Sequence, residues 1–358
     1  EINLPFIIKV PIIACGSHMK NTVALAWNNR LVISPHIGDL DSPRSMEVFE
    51  KTIADLQKLY RVEANTLACD AHPAYASSRW ALNSNLPVTK IQHHKAHASA
   101  LVLENWDTDQ DSDEPWLIFC WDGTGYGDDG YIWGAEAFYG LPGNWKRVAS
   151  FRQFRLPGGE KAGREPWRSA AALCWEENQE WNDCPVDTGL LKQAWKQGIN
   201  APKTSAMGRL FDAAAALTGL IHAASFEGQA PMLLEQKCES LFEIESLPLE
   251  KDQNGLLLAD WAGLIPVLQD LTISVEERAT TFHSQIAHTL LKQAEILSKD
   301  YSIKKVGISG GVFQNRKLSE YVITQLPNRN FEAYMAETLP GNDASISAGQ
   351  IVEAVLTQ

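Results

Sequence analysis

An α/β fold in two lobes is predicted for this chain of 358 residues, and two observations predict it. A run of three strands followed by alternating helix and strand occurs twice, and the second copy is interrupted by a long helical stretch. Within each copy, apolar strand-like runs alternate with helical periodicity, the pattern of parallel strands joined by crossover helices. A third observation locates the chemistry. A histidine pair at helical spacing in IQHHKAHASALVL (91–103) precedes a glycine-studded acidic hairpin, FCWDGTGYGDDGYIWGAE (119–136).

The first copy opens with strands VPIIACGSHM, NTVALAWNN and RLVISPHIGDL. A helix follows at Ser42-Pro43, an N-cap and first-turn pair, and Met46, Phe49, Ile53, Leu56 and Tyr60 keep helical spacing. Next come strand NTLACD, helix AYASSRWALNS, strand VTKIQ and the histidine-bearing helix. The second copy has strands PWLIFCWDGTG, YGDDGYIWGAEAFYG and KRVASFRQFRL, and then about 130 residues of helical pattern, including the long run EERATTFHSQIAHTLLKQAEILSKD. Strand KKVGISGG, helix FQNRKLSEYVITQL, strand NFEAYMAE and helix DASISAGQIVEAVLT close it. The lobes are expected at 1–115 and 116–358, with a helical insertion at about 160–300. The pattern is that of the sugar kinase/actin architecture, a duplicated RNase H-like fold with a nucleotide in the cleft between lobes.

Hydrophobic content of 45% and charged content of 21% describe an ordinary globular protein. No apolar run reaches the ~18 residues that span a bilayer, and LPFIIKVPIIACG is broken by Lys9 and Pro11. The net charge of −13 and the lack of a basic patch count against nucleic acid as a partner. The acidic run ENWDTDQDSDEP (104–115) is expected as a solvated loop. Six cysteines without CxxC spacing read as reduced core thiols of a cytoplasmic protein. Beginning at Glu1, the chain looks processed, trimmed or cut from something longer.

His93 and His97 are four residues apart, so their rings share one helix face, as in many metal sites. The same spacing is common on half-buried helices, so the neighbours decide. Asp122 ends an apolar strand, and Asp343 in LPGNDASISAGQ (339–350) opens the last helix. Two imidazoles and two carboxylates make an open, catalytic type of site for a divalent cation, zinc or iron. His94 lies about 100° round the helix, facing solvent or backing the ligands.

Ser309-Gly310-Gly311 joins a strand to a helix, where free helix N-terminal amides donate to phosphate; a plain tight turn has the same sequence. Asp212, on a helix just past Gly208, and Glu227, near another helix start, read most simply as exposed or N-terminal carboxylates, and together they are acceptors of the kind that ribose hydroxyls need. Lys20, in the first hairpin turn, is placed to neutralise a phosphate. In RLPGGEKAGREPWRSA (155–170), anion contact is expected from Arg164 or Arg168. His72, His222, His283 and His288 are expected to be structural, and the twelve tryptophans form no stacking stripe.

ACGSHMKNT, CDAHPAYASSRWA, IQHHKAHASA, DGTGYGDDGYIWGAE, LPGGEKAGREPWR, TSAMGRLFDA, SFEGQAPMLLE, SGGVFQNRKL and LPGNDASISAGQ together resemble, in order, the C-terminal transferase domain of the HypF family of hydrogenase maturation carbamoyltransferases. More distantly the chain resembles the tRNA threonylcarbamoyladenosine proteins and the O-carbamoyltransferases. The resemblance implies metal ligands at His93, His97, Asp122 and Asp343, and contacts to ATP, AMP or carbamoyl-adenylate at Asp212, Glu227, Gly310, Gly311 and Asn315. It also implies a catalytic Lys20, although Ser-His-Met precedes it here. The implied acceptor is the C-terminal cysteine of a HypE-like partner, whose thiocarbamate leads to the cyanide ligand. Acylphosphatase, zinc-finger and adenylate-forming segments of the family do not occur in this sequence. A separate adenylate-forming domain is therefore an expected partner, or the chain is an excised or naturally short transferase. No HExxH supports a peptidase. The alternatives are a nucleotide-gated, metal-binding assembly module without catalysis, and threonylcarbamoyl transfer to tRNA.

Overall fold

Two sheets of repeated topology organise the computed structural model, which describes residues 1–106 and 114–357. Most of the acidic run at 104–115 lies outside the described residues. In the first lobe, β1 (Ile2–Ala14) and β2 (Ala24–Ile33) lead to α1 (Pro43–Tyr60), then β3 (Thr66–Asp70), α2 (Ala76–Leu82), β4 (Val88–Ile91) and α3 (His93–Glu104). The strand order is β2-β1-β3-β4, with β1 antiparallel to β2 and parallel to β3, and β3 parallel to β4.

The second lobe opens with a meander of β5 (Trp116–Tyr126), β6 (Ile132–Leu141) and β7 (Asn144–Phe151), as expected, plus the short β8 (Phe154–Arg155). The chain continues through α4 (Trp167–Glu176), α5 (Gly189–Lys196), β9 (Lys203–Thr204), α6 (Met207–Leu217), α7 (Gln229–Lys237), β10 (Leu249–Lys251), β11 (Leu257–Ala259), α8 (Leu264–Gln269) and α9 (Val275–Leu297). It ends with β12 (Lys305–Ser309), α10 (Arg316–Gln325), β13 (Glu332–Met335) and α11 (Ile346–Leu356). The sheet runs β10-β11-β7-β6-β5-β12-β13, and β12 is parallel to both β5 and β13. The segment β6-β5-β12-β13 thus repeats the order and directions of β2-β1-β3-β4, the duplication that the sequence pattern predicts.

Two expectations are corrected. The three strands expected at the start are two, because NTVALAWNN and RLVISPHIGDL merge into β2 across Asn28. That residue takes φ 49°, a left-handed conformation that asparagine tolerates, yet it stays paired with Ile8, so β2 runs on through it without reversing and the register slips on either side fall on β1. Residues on both sides of it pair with β1 (Ala26 with Ile12, Arg30 with Asn3). The insertion is not wholly helical either. Its β10–β11 hairpin adds to the free edge of β7, and β9 bridges β6 and β8.

Helix α3 lies between the lobes. Ala96, Ala100 and Leu103 pack with β1, β2 and α11, whereas Ala98, Leu101 and Val102 pack on β5 and β6. Because both flanks are covered, the helix is apolar around most of its circumference and shows no clean amphipathic stripe. The last helix, α11, returns to the first lobe and supplies Ile346, Ile351 and Val352 to its core. Among the described residues, no helix is long and apolar enough to cross a membrane.

Candidate metal and nucleotide site

At the end of β4, Gln92 turns the chain into α3, and its side chain caps the helix by accepting from Lys95 N at 2.8 Å. The cap fixes the helix start at His93, so His93 and His97 stand one turn apart with ring centroids 5.0 Å from each other. Asp122 sits in β5 where the ladder to β6 slips between Trp121 and Gly125, a bulge that re-aims its side chain. Asp343 sits in a single 3-10 turn ahead of α11.

These four residues converge, with one ligand atom from each lying within 4.8 Å of the others. His97 Nε2 is 2.8 Å from Asp122 Oδ2 and 3.5 Å from Asp343 Oδ1, and His93 Nε2 is 3.6 Å from Asp343 Oδ1. Neither Nε2 atom nor Asp122 Oδ2 has a hydrogen-bond partner, because the 2.8 Å approach lacks hydrogen-bond geometry. Orphaned buried donors and acceptors are costly. A nitrogen and oxygen donor set left open in this way fits a divalent cation.

Burial pushes the His93 imidazole down, but Asp343 and Asp70 outweigh it and hold the ring well above its ordinary range. Burial pushes the Asp343 carboxyl up, but His93 and His97 hold it well below. His94 does not face solvent: it is fully buried, its Nδ1 is 3.1 Å from Gln92 Nε2, and burial beside His93 and His97 keeps it neutral.

Lys20 takes φ 48°, and its amide donates to Asp39 Oδ1 at 2.9 Å. Burial pulls its ammonium pKa down, but the carboxylates of Glu227, Asp343, Asp122 and Asp39 more than offset this. The amine thus lies within electrostatic reach of Asp122 and Asp343 and stays charged. Gly310 adopts φ 103° and ψ 162°, a region open to glycine alone, as β12 turns beside Asp122. The Gly311 amide donates to Asp122 Oδ1 at 2.8 Å, so it is already committed to that carboxylate.

Asn315 is committed as well. Its Oδ1 caps α10 by accepting from Leu318 N at 3.0 Å, and its Nδ2 lies 2.9 Å from His283 Nε2. Glu227 lies half-buried in the turn before α7. Asp212 is buried in α6 and paired with Arg209 at 2.9 Å. Burial pushes its carboxyl up to about 6; Arg209 opposes the shift and Glu227 adds to it. Arg164 donates to the Ser225 carbonyl, and Arg168 pairs with Glu165 at 2.6 Å while lying over the Trp167 ring. Arg164 and Arg168 are therefore both partnered within the protein.

Sequence reasoning missed two residues. Asp70 Oδ2 is 2.7 Å from His93 Nδ1, and its Oδ1 accepts from His72 N at 2.8 Å. The only signal was a carboxylate closing a strand ahead of a His-Pro turn. Arg209, three residues before Asp212, left no signal beyond that spacing. His72, taken as structural, stacks on Tyr75 with centroids 4.1 Å apart. A cavity of about 830 Å³, lined by Lys146, Arg152, Lys251 and Tyr301 among others, shares no residue with this cluster.

Residues 8–104 match the family model described as the HypF Kae1-like domain. Residues 118–350 match the carbamoyltransferase Kae1-like domain, second subdomain. The chain is 36% identical to the carbamoyltransferase HypF of Synechocystis sp., over 99% of this chain and 48% of that protein. A carbamoyltransferase HypF homolog of Cupriavidus necator is 30% identical, over 95% of this chain and 90% of that protein. Among solved structures, a full-length HypF in its phosphate- and nucleotide-bound form superposes with a TM-score of 0.91 at 32% identity, over 99% of this chain and 56% of that one. The chain thus spans about half the length of the Synechocystis protein and nearly all of the short C. necator homolog.

Proposed function

The chain belongs to the HypF family of carbamoyltransferases, and from that membership we propose that it transfers the carbamoyl group of carbamoyl-adenylate to the C-terminal cysteine of a HypE-like protein in nickel–iron hydrogenase maturation. The observation that carries this reading is the cluster of His93, His97, Asp122 and Asp343, with orphaned buried donor atoms and a charged Lys20 within electrostatic reach of its carboxylates. A non-catalytic assembly module has no use for such an open donor set.

Zinc or iron held by these four side chains would supply Lewis-acid charge where the phosphate and carbamoyl oxygens lie. Asp70 would keep the His93 ring oriented. Lys20 would balance the charge that grows on the phosphate as it leaves. The acceptor thiol loses its proton to solvent, and the thiolate attacks the carbamoyl carbon. A C–S bond forms, the C–O bond to phosphate breaks, and AMP departs with the electron pair. No nucleophile from this chain is required.

The reading is tested by incubating the protein with a HypE-like acceptor and carbamoyl-adenylate made by a separate adenylate-forming domain. The expected result is a carbamoyl mass increment on the acceptor's terminal cysteine, lost in Lys20→Ala. No increment with metal and nucleotide bound would overturn transfer in favour of the assembly module. With tRNA and threonylcarbamoyl-adenylate supplied in their place, modification of the tRNA would favour threonylcarbamoyl transfer.

A further inference from the structure

Arg209 stands in the first turn of α6, and its side chain and that of Asp212 are only 10% and 4% exposed. A guanidinium carries five donors, and burying it is costly unless they are used. Here they are not used fully. Nη1 faces Asp212 Oδ2 at 2.9 Å, yet Arg209 Nε and Asp212 Oδ2 have no hydrogen-bond partner.

The rest of the guanidinium is seated against two glycines. A Cβ on Gly123 would lie 3.2 Å from Nη2, and a Cβ on Gly163 would lie 3.1 Å from Nη1. Gly123 follows Asp122, so the cation borders the four-residue cluster. From the same Gly123 position, Glu227 Oε1 is 3.5 Å away. With Asp122, Asp343 and Glu227 gathered here, the cleft repels a bare anion unless fixed cations offset the carboxylates. Lys20 supplies one from the first lobe, and Arg209 stands in the second.

We propose that Arg209 is the second lobe's phosphate-binding residue, oriented by Asp212, and that it takes the phosphate of the nucleotide. The inference rests on the nucleotide-dependent reading above. It gives Asp212 a positioning role through Arg209 in place of a direct ribose contact. The planar fork of the guanidinium suits phosphate oxygens, and lysine cannot reproduce its paired donors.

The test is calorimetry of the metal-loaded full chain with AMP, and with adenosine measured by displacement. Arg209→Ala should weaken AMP at least tenfold while leaving adenosine within twofold, and Arg209→Lys should fall between. Asp212→Asn should weaken AMP several-fold and spare adenosine, whereas a ribose contact would weaken both in step. Thermal melts confirm folding, and Arg209→Lys serves if Arg209→Ala does not fold. AMP affinity unchanged in both arginine variants, or adenosine lost in parallel, overturns the role of Arg209. Failure of the wild type to bind AMP at all overturns the nucleotide reading itself.

Discussion

Asp70 governs how His93 can act, because a carboxylate on Nδ1 fixes the tautomer and leaves Nε2 free to ligate. Asp70→Asn keeps the shape and removes the charge. It should lower metal affinity about 10- to 100-fold with little change in folding, checked by chelator competition beside a thermal melt. His97→Ala and Asp343→Ala remove a donor outright, and metal analysis of each should fall clearly below the wild-type stoichiometry. Full occupancy in both would remove these residues from the site. The His93/His97 pair was legible in the sequence because helical spacing is local. Asp70 was not, because nothing in a sequence says which of its carboxylates comes to lie beside an imidazole.

Helices α9 and α10 are joined at a neutral histidine. His283 Nδ1 faces the Ala279 carbonyl at 2.7 Å, and Nε2 meets Asn315, the residue that caps α10 just after the Gly310–Gly311 turn. Burial lowers the ring pKa to about 4, so the folded state binds fewer protons than the unfolded chain between about 6.5 and 4. The stability from this group is therefore full above about 6.5 and is lost as pH falls toward 4, roughly 3 kcal/mol in all. Urea midpoints at pH 7 and pH 4.5 should show the loss in wild type and a smaller loss in His283→Gln. An equal loss in both would assign the acid sensitivity elsewhere. At this scale the sequence located α9 well as the run 276–300, since its apolar spacing is regular and local, while the cap at Ser274 emerged only with the structure. The partner of His283 on α10 lay beyond sequence reasoning, because that contact joins elements 32 residues apart.

Across the whole molecule, the site depends on how α11 crosses α3. A Cβ on Gly349 would come within 1.8 Å of the Ala96 carbonyl oxygen, so the two helices touch backbone to backbone. Asp343 precedes α11, while His93 and His97 ride on α3. Gly349→Ala should force the helices apart, cost about 1–3 kcal/mol and weaken metal binding together with stability. Urea denaturation and metal competition on the same variant check this, and a variant unchanged in both would show that the crossing yields without cost.

The sequence by itself determined the duplicated α/β pattern, the meander of β5, β6 and β7, the helical spacing of His93 and His97, and the family. These rest on local periodicity and on short motifs whose order survives without coordinates. Only the tertiary structure decided that the chain runs straight on through Asn28 and does not turn there, since strand partners on β1 outweigh a turn-forming residue. Likewise, β10 and β11 became strands because β7 offered an open edge. Asp343 reached His97 only through the return of α11 to the first lobe, and Asp70 met His93 only because β3 pairs with β4, the strand that feeds α3. Such contacts are set by which surfaces are left to be buried once the local elements exist, and a linear sequence does not state that.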